Sequence, residues 1–564
     1  MPQSVLRRDR VIERLAGPLS NAALEDLLFT SKAELELQDA ETLTVSVTPD
    51  RLDLLSEGGL ALHLEGATDA AKGLPHERLM VAGSPAPSFE VDASVGALRP
   101  VIVGVVVESP TDAGLDAGTL AEAIRFQEVL HASVGRDRRA ASLGIYPYDR
   151  LTPPFRYALE PMSGVHFVPL DAAEEVSADR FFPEHPMALR YGALGRLEDR
   201  CLTIRDAQGT ILSLPPILNG RTGGEARVGD RRLLLESTGT RDRAVREALG
   251  LLLVVFASQG WSVGPVGVRG DGTTLSDGRD LFAPRAVELP SPLLHSIAGA
   301  TYPPGEVERR LGRDRLTAHP HAGGWRVEVP PWRPDLLAPV DLTEEVILAQ
   351  AIRPEDGILP PSFTRGRRRR ETVFRRRFAT TLLGLGCAAP HTSLLVSENA
   401  VRRIPGTSPV RLANPPSAEF AFVRDRLLIS HLEVLAHNTR HGYPQTVGEV
   451  GPVLVAQPTA ETGAETRYRA GVLVASDTAG FADAAAVIEY LLRTVDIVPV
   501  REPAELPGTI PGRAARVRVA GEAVAELGEL HPEVLASIGV PVPVAWAELD
   551  LTRLAPLVGP QEID

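Results

Sequence analysis

The stretch Val329–Val346, reading Val-Pro-Pro-Trp-Arg-Pro-Asp-Leu-Leu-Ala-Pro-Val-Asp-Leu-Thr-Glu-Glu-Val, constrains this chain more than any other. Trp325–Val329 alternates apolar and polar residues as a half-buried strand does, and Pro330, Pro331 and Pro334 then forbid both helix and central-sheet pairing. The chain must turn there. After Pro339, Asp341 followed by Glu344 predicts a capping box. Val346, Ile347, Leu348 and Ala351 supply the buried side of a helix that ends before Pro354. Four carboxylates, Asp335, Asp341, Glu344 and Glu345, thus gather within eleven residues at a helix N-terminus. Two readings are open for them: capping and favourable placement at the positive end of the helix dipole, or a hard divalent cation, Mg2+, held by one or two carboxylates and water and open to sharing with a partner chain.

At 564 residues the chain has room for several domains, each with its own core. No apolar run reaches the ~20 residues of a membrane span, and no apolar signal core follows the N-terminus. The expectation is a cytoplasmic protein without membrane association. Cys201 and Cys387 lie too far apart in sequence for a disulfide framework and read as core residues. A net charge of −14 argues against wholesale nonspecific nucleic-acid binding, which needs a basic face, though a local basic groove is compatible with it. Lysine occurs only at Lys32 and Lys72, so arginine carries nearly all the positive charge. The one strongly basic run, Arg365 with Arg367–Arg370 and Arg375–Arg377, reads either as the solvated face of a linker and helix start or as a phosphate or partner contact.

Pattern divides the chain at about 90, 270 and 360. Residues 1–90 open with a helical Val11–Leu15 and Ala22–Leu28. A strand-like Leu43–Thr48 and a Pro-Asp-Arg turn lead to Ser56 as a helix cap, and a linker is expected over 83–90. Residues 91–270 alternate α and β, with a buried strand at Val101–Val107 and a helix through Leu120, Ile124, Val129 and Val134. Within them Ser142–Asp149, Leu212–Gly220 and Leu234–Thr240 place polar groups at the ends of apolar strands, where pockets form. Residues 271–360 carry a helix at Pro304–Leu311 and the acidic stretch. Residues 361–564 hold helices near 374–385 and 427–438 and several strands. Phosphate-binding loops, His-Glu-x-x-His pairs and nucleophile elbows are absent from the sequence, which removes the common hydrolase and nucleoside-triphosphatase readings.

Taken in order, several stretches resemble the beta subunit of phenylalanyl-tRNA synthetase of the archaeal and eukaryotic-cytosolic type. They are Thr48-Pro-Asp-Arg-Leu-Asp-Leu-Leu-Ser-Glu-Gly, Gln127–His131 with Gly144-Ile-Tyr, Pro215–Gly220, Thr238-Gly-Thr, Arg333–Glu345, Asn414-Pro with Arg424, Tyr443–Gln445 with Glu449–Gly451, and Gly512–Arg516 with Gly528–Pro532. The resemblance implies an α+β multidomain fold. Its parts would be an N-terminal domain (1–90), a tRNA-editing domain (91–270), a winged-helix-like domain with the acidic cluster (271–360) and a noncatalytic class II synthetase-like antiparallel-sheet module (361–564).

The resemblance also implies a function. The alpha subunit would charge tRNA(Phe) with ATP in an alpha2-beta2 tetramer, while this chain would hydrolyse mischarged tyrosyl-tRNA(Phe). By position, Ile204, Ser213, Glu236 and Thr238 match the editing pocket, with Glu236 where the family usually has aspartate. Asp335, Asp341, Glu344 and Glu345 match the family's magnesium set. Arg424 is expected to be structural rather than a working motif-2 arginine. A free-standing trans-editing deacylase and a noncatalytic paralogue are the alternatives.

Overall fold

The computed structural model describes residues 2–12, 15, 19–75, 86–270, 273–349 and 364–558. They fall into two compact units, Met1–Leu359 and Pro360–Asp564.

The first unit is built around two sheets placed back to back. A four-stranded antiparallel sheet runs in the order Ser262–Pro265, Val101–Glu108, Arg232–Gly239, Ala141–Pro147. One of its faces, through Val103, Val105, Leu233 and Leu235, packs on the helices Ala117–Ala132 and Asp242–Ser258. The other face, through Ile102, Tyr146 and Leu234, packs on Phe89, Tyr157, Leu202, Ile204 and Leu212 of a second, larger sheet. This alternation follows from the two-residue period of a strand, and it directs Glu236, in phase with Leu234, between the sheets. Gly104 and Gly144 flank Glu236 on the two neighbouring strands.

Ser88–Val91 pairs in parallel with both Phe155–Pro161 and Gly267–Gly270. The expected linker at 83–90 is therefore a strand from Ser88 onward, and residues 83–85 lie outside the described ones. The N-terminal sheet, Gln3–Arg7, Thr42–Val47 and Ala33–Gln38, shares its apolar core with the helix Asp242–Ser258, so that Leu6, Val45, Leu54, Leu251 and Trp332 belong to one cluster. The expected helix at Val11–Leu15 is observed as Arg8–Ile12, with Glu13 and Arg14 outside the described residues.

A third antiparallel sheet, Arg285–Pro290, Gly324–Val329 and Thr317–His321, packs with the helices Ser291–Ala298, Glu306–Arg313 and Pro339–Leu348 around Leu289, Leu311, Val327 and Val346. One sequence expectation needs correction here. Asp341 is not the cap residue. Ala338 is, and Asp341 stands a turn inside, its carboxylate accepting from the Leu337 and Ala338 N–H groups at 2.7 Å each. Pro339 explains the shift, because its fixed φ and missing N–H suit the first helical position. Ala351 and Pro354 lie outside the described residues.

The second unit is a six-stranded antiparallel sheet in the order Gln445–Ala456, Ala464–Ala475, Val544–Asp550, Glu522–Leu530, Thr509–Val519, Val500–Pro503. Helices Arg370–Gly384 and Phe481–Arg493 cover one face, over Val472, Ala547 and Leu549. Leu428–His437 covers the other, over Leu473 and Trp546.

Candidate functional site

The three stretches with polar strand ends meet at one cavity of ≈ 280 Å³, whose lining includes Tyr146, Ser213, Asn219, Glu236, His131 and Arg138. The volume is near the lower end of small-ligand pockets, which run from roughly 300 Å³ upward. Glu236 is 2% exposed and stands opposite Gly144 on the strand Ala141–Pro147. Because Gly144 has no side chain, the Tyr146 ring lies across it and its hydroxyl donates to Glu236 Oε1 at 2.9 Å. A Cβ on Gly144 would come within 2.2 Å of that hydroxyl and 2.6 Å of Glu236 Oε1. The same hydroxyl lies 2.9 Å from Ser213 Oγ. Glu236 Oε2 is buried and has no hydrogen-bond partner.

Burial pushes the Glu236 carboxyl up to about 7, against the lowering effects of the Tyr146 hydrogen bond and the Arg99 charge. The Tyr146 phenol is pushed up as well, mainly by burial, and so remains a donor. Thr238 and Ile204 are placed differently from the two cavity residues Ser213 and Glu236, for neither belongs to the lining. Thr238 is held by buried Arg99, whose Nε donates to Thr238 Oγ1 at 3.1 Å, with Ser142 Oγ also at 3.1 Å. Ile204 pairs with Ser213 in the larger sheet and packs in the apolar layer beside Tyr146. At the far wall the Leu143 N–H donates to His131 Nε2 at 2.9 Å, so the imidazole carries its proton on Nδ1, 3.1 Å from Glu128 Oε1. Burial lowers the His131 pKa, which agrees with a neutral ring.

The acidic stretch is organised by cations of the chain itself. Arg333 grips Asp335 through Nε and Nη2, at 3.0 and 2.7 Å, and lies 3.1 Å from Glu345 Oε2. Lys32 Nζ lies 2.7 Å from Glu344 Oε2, 3.4 Å from Glu345 Oε1 and 3.0 Å from Asp50 Oδ2. Asp341 is committed to backbone N–H groups. Mg2+ demands near-ideal octahedral oxygens at roughly 2.0–2.1 Å, and among the described residues no three His, Cys, Asp or Glu side chains converge to hold a metal ion. As arranged, the four carboxylates do not fit the magnesium set that the resemblance implies.

The family description "tRNA synthetase B5 domain" matches residues 287–350, and "Phenylalanyl tRNA synthetase beta chain CLM domain" matches 358–551. A phenylalanine–tRNA ligase beta subunit of Korarchaeum cryptofilum is 30% identical over 553 residues, covering 96% of this chain and 97% of that protein. The chain belongs to the phenylalanine–tRNA ligase beta-subunit family. Another beta subunit, from Aeropyrum pernix, is 31% identical over 559 residues, covering 98% of this chain and 99% of its own length. An N-terminal fragment of the Pyrococcus horikoshii phenylalanyl-tRNA synthetase beta subunit has the same fold, with a TM-score of 0.57 and 24% identity over 62% of this chain and 100% of the fragment.

In this family member Arg424 is structural. It is 1% exposed, and its Nη2 donates to Glu449 Oε1 at 3.1 Å, its Nε to the Pro452 carbonyl at 3.1 Å and its Nη1 to Ser430 at 3.0 Å. Sequence reasoning missed the roles of Tyr146, Arg99 and Lys32. Gly144-Ile-Tyr stood among the matching stretches, and a glycine two residues before a tyrosine on one strand face was the available signal for the first. Nothing local marks the other two, because their partners are 139 and 312 residues away.

Proposed function

We propose that this chain serves as the noncatalytic beta subunit of a phenylalanine–tRNA ligase, assembling with an alpha subunit as an alpha2-beta2 tetramer that charges tRNA(Phe), and that its cavity removes tyrosine from mischarged tyrosyl-tRNA(Phe). The subunit role rests on a family match that runs the length of the chain. That breadth disfavours a free-standing deacylase, which would need little beyond residues 91–270. In this reading Mg2+ enters with the ATP phosphates on the alpha subunit. The domains follow the same scheme, with editing in 91–270, the acidic helix in 271–360 and the synthetase-like sheet in 361–564.

The observation that carries the editing role is the buried Glu236 carboxylate, with one oxygen engaged by Tyr146 and the other unpartnered beside the cavity. Phenylalanine and tyrosine differ by one hydroxyl, and an apolar pocket rejects an added hydroxyl only weakly, so a second site must read that group. A tyrosyl phenol donating to Glu236 Oε2 satisfies a buried acceptor. A phenylalanyl ring leaves it bare, a difference of about 1–3 kcal/mol. Glu236 has a methylene more than the family's aspartate, and that reach brings it to the Tyr146 hydroxyl, which also meets Ser213. Ser213 and Thr238 hold the carboxylate's surroundings, Thr238 through Arg99.

The test is deacylation of tyrosyl-tRNA(Phe) by the protein purified together with the subunit that accompanies it. Glu236→Ala should lower hydrolysis at least tenfold and leave charging with phenylalanine unchanged. Undiminished hydrolysis in that variant would remove the cavity from the reaction. A native mass without a synthetase alpha chain would count against the subunit role.

A further inference from the structure

An amine links the acidic helix to the N-terminal sheet. Lys32 follows the helix Asn21–Phe29 and precedes the strand Ala33–Gln38, and its ammonium reaches a helix 312 residues later in sequence. Its three carboxylate neighbours come from two different places: Asp50 from the turn after the strand Thr42–Val47, and Glu344 and Glu345 from the helix Pro339–Leu348. Lys32 donates to Glu344 at 2.7 Å and to Asp50 at 3.0 Å, and pairs by charge alone with Glu345 at 3.4 Å, all longer than a metal–oxygen bond. Glu345 is 2% exposed, and its Oε1 has no hydrogen-bond partner, the Lys32 ammonium standing 3.4 Å away as an ion-pair neighbour. Its Oε2 is served by Arg333, which is itself buried and fixed by Asp335.

Two further facts single Lys32 out. The residue sits at φ 62°, in the left-handed region that favours glycine or asparagine, so the backbone gains nothing from a lysine there. And in a chain that uses arginine almost everywhere, this position has one of the two lysines. A compact point charge with three donors can face three carboxylates from different directions, whereas a planar guanidinium fork cannot.

We propose that Lys32 is the resident cation of this cluster, its ammonium taking the place of a divalent ion and fastening the N-terminal sheet to the acidic helix without metal. The cluster is then complete in a protein that holds no metal there. Divalent ions cannot bind without displacing the ammonium.

The experiment uses the full-length protein with its accompanying subunit, free of nucleotide, with Mn2+ as the spectroscopic probe and Mg2+ as the stabilising ion. The wild-type protein should unfold at the same temperature in EDTA and in millimolar Mg2+, and paramagnetic resonance should find no bound Mn2+ that Glu345→Gln removes. Lys32→Met should lower the unfolding temperature by several degrees, a deficit that Mg2+ partly restores. Lys32→Gly serves as the second variant, because it relieves the left-handed backbone while removing the whole side chain with its amine, and its stability should likewise gain from Mg2+. A wild-type Mn2+ site lost in Glu345→Gln would overturn the proposal. So would unchanged stability in both Lys32 variants, or a deficit that Mg2+ leaves untouched, since Lys32 would then be an ordinary ion-pair partner. None of these readouts depends on editing or charging.

Discussion

Gly144 shows how much one missing side chain can decide. Its neighbours on the same strand face are Tyr146 and Ser142, and its partner across the ladder is Glu236. Only a residue without Cβ lets the phenol cross it to reach the carboxylate. Gly144→Ala should therefore push Tyr146 or Glu236 out of position. We expect a loss of about 1–3 kcal/mol from overpacking, read by chemical denaturation, together with loss of tyrosyl-tRNA hydrolysis while charging continues. At this scale the sequence was partly legible. Ser213 and Glu236 could be placed in a cavity because they match a family pattern. Tyr146 could not be read as their partner, since a tyrosine on an apolar strand is equally an ordinary core residue. Arg99 was harder still: a buried guanidinium that donates to Thr238 Oγ1, to the Thr238 and Arg138 carbonyls and to Ser142 leaves no trace in local pattern.

Elements were more legible than side-chain partnerships, because periodicity and punctuation fix them locally. The strands at Thr42–Val47, Val101–Glu108 and Gly324–Val329 and the helices at Ala117–Ala132 and Leu428–His437 lie within a few residues of expectation. The start of the helix Pro339–Leu348 was misjudged because Asp341 fits a cap as well as it fits the first turn. Its carboxylate accepts two backbone N–H groups there, so Asp341→Ala should cost about 1 kcal/mol of stability. Asp341→Asn should recover part of that, measurable as a shift in denaturation midpoint without a change in slope. The basic run divides in the same way. Arg375 and Arg377 belong to the helix Arg370–Gly384, where the Arg375 guanidinium lies 3.7 Å over the Tyr468 ring and Arg377 donates to the Thr494 carbonyl. These two are tied to the fold of their unit, a role that charge alone did not announce.

On the scale of the molecule, the two units have separate cores, and each holds carboxyls shifted up as well as down. Burial raises Glu122 and Glu236 in the first unit to about 7 from an ordinary value near 4.5. Between those limits these two carboxyls bind protons more tightly in the folded state and cost stability as pH rises, while His63 and His131, lowered by burial from the ordinary value of 6.5, oppose them. In the second unit Arg424 lies beside Glu449, which is held down to about 2 against the effect of its burial. Its contribution is present above about 4.5 and is lost only as pH falls below that. Replacing both raised carboxyls, Glu122→Gln with Glu236→Gln, should make the calorimetric unfolding temperature rise more, or fall less, between pH 5 and 7 than it does in the wild-type chain. An unchanged pH profile in that variant would contradict the shift. The shared core of the N-terminal sheet and the helix Asp242–Ser258 could not be read from the sequence, since it depends on contacts between distant segments.

The scarcity of lysine has a practical side. Of the two amines on lysine, Lys32 is 11% exposed in its side chain and held protonated by its carboxylate neighbours, while Lys72 is 50% exposed and paired only with Asp69. An acylating reagent therefore meets one accessible lysine amine, at Lys72. A fluorophore or surface tether placed there would report on the first unit while leaving the ammonium at the acidic helix intact.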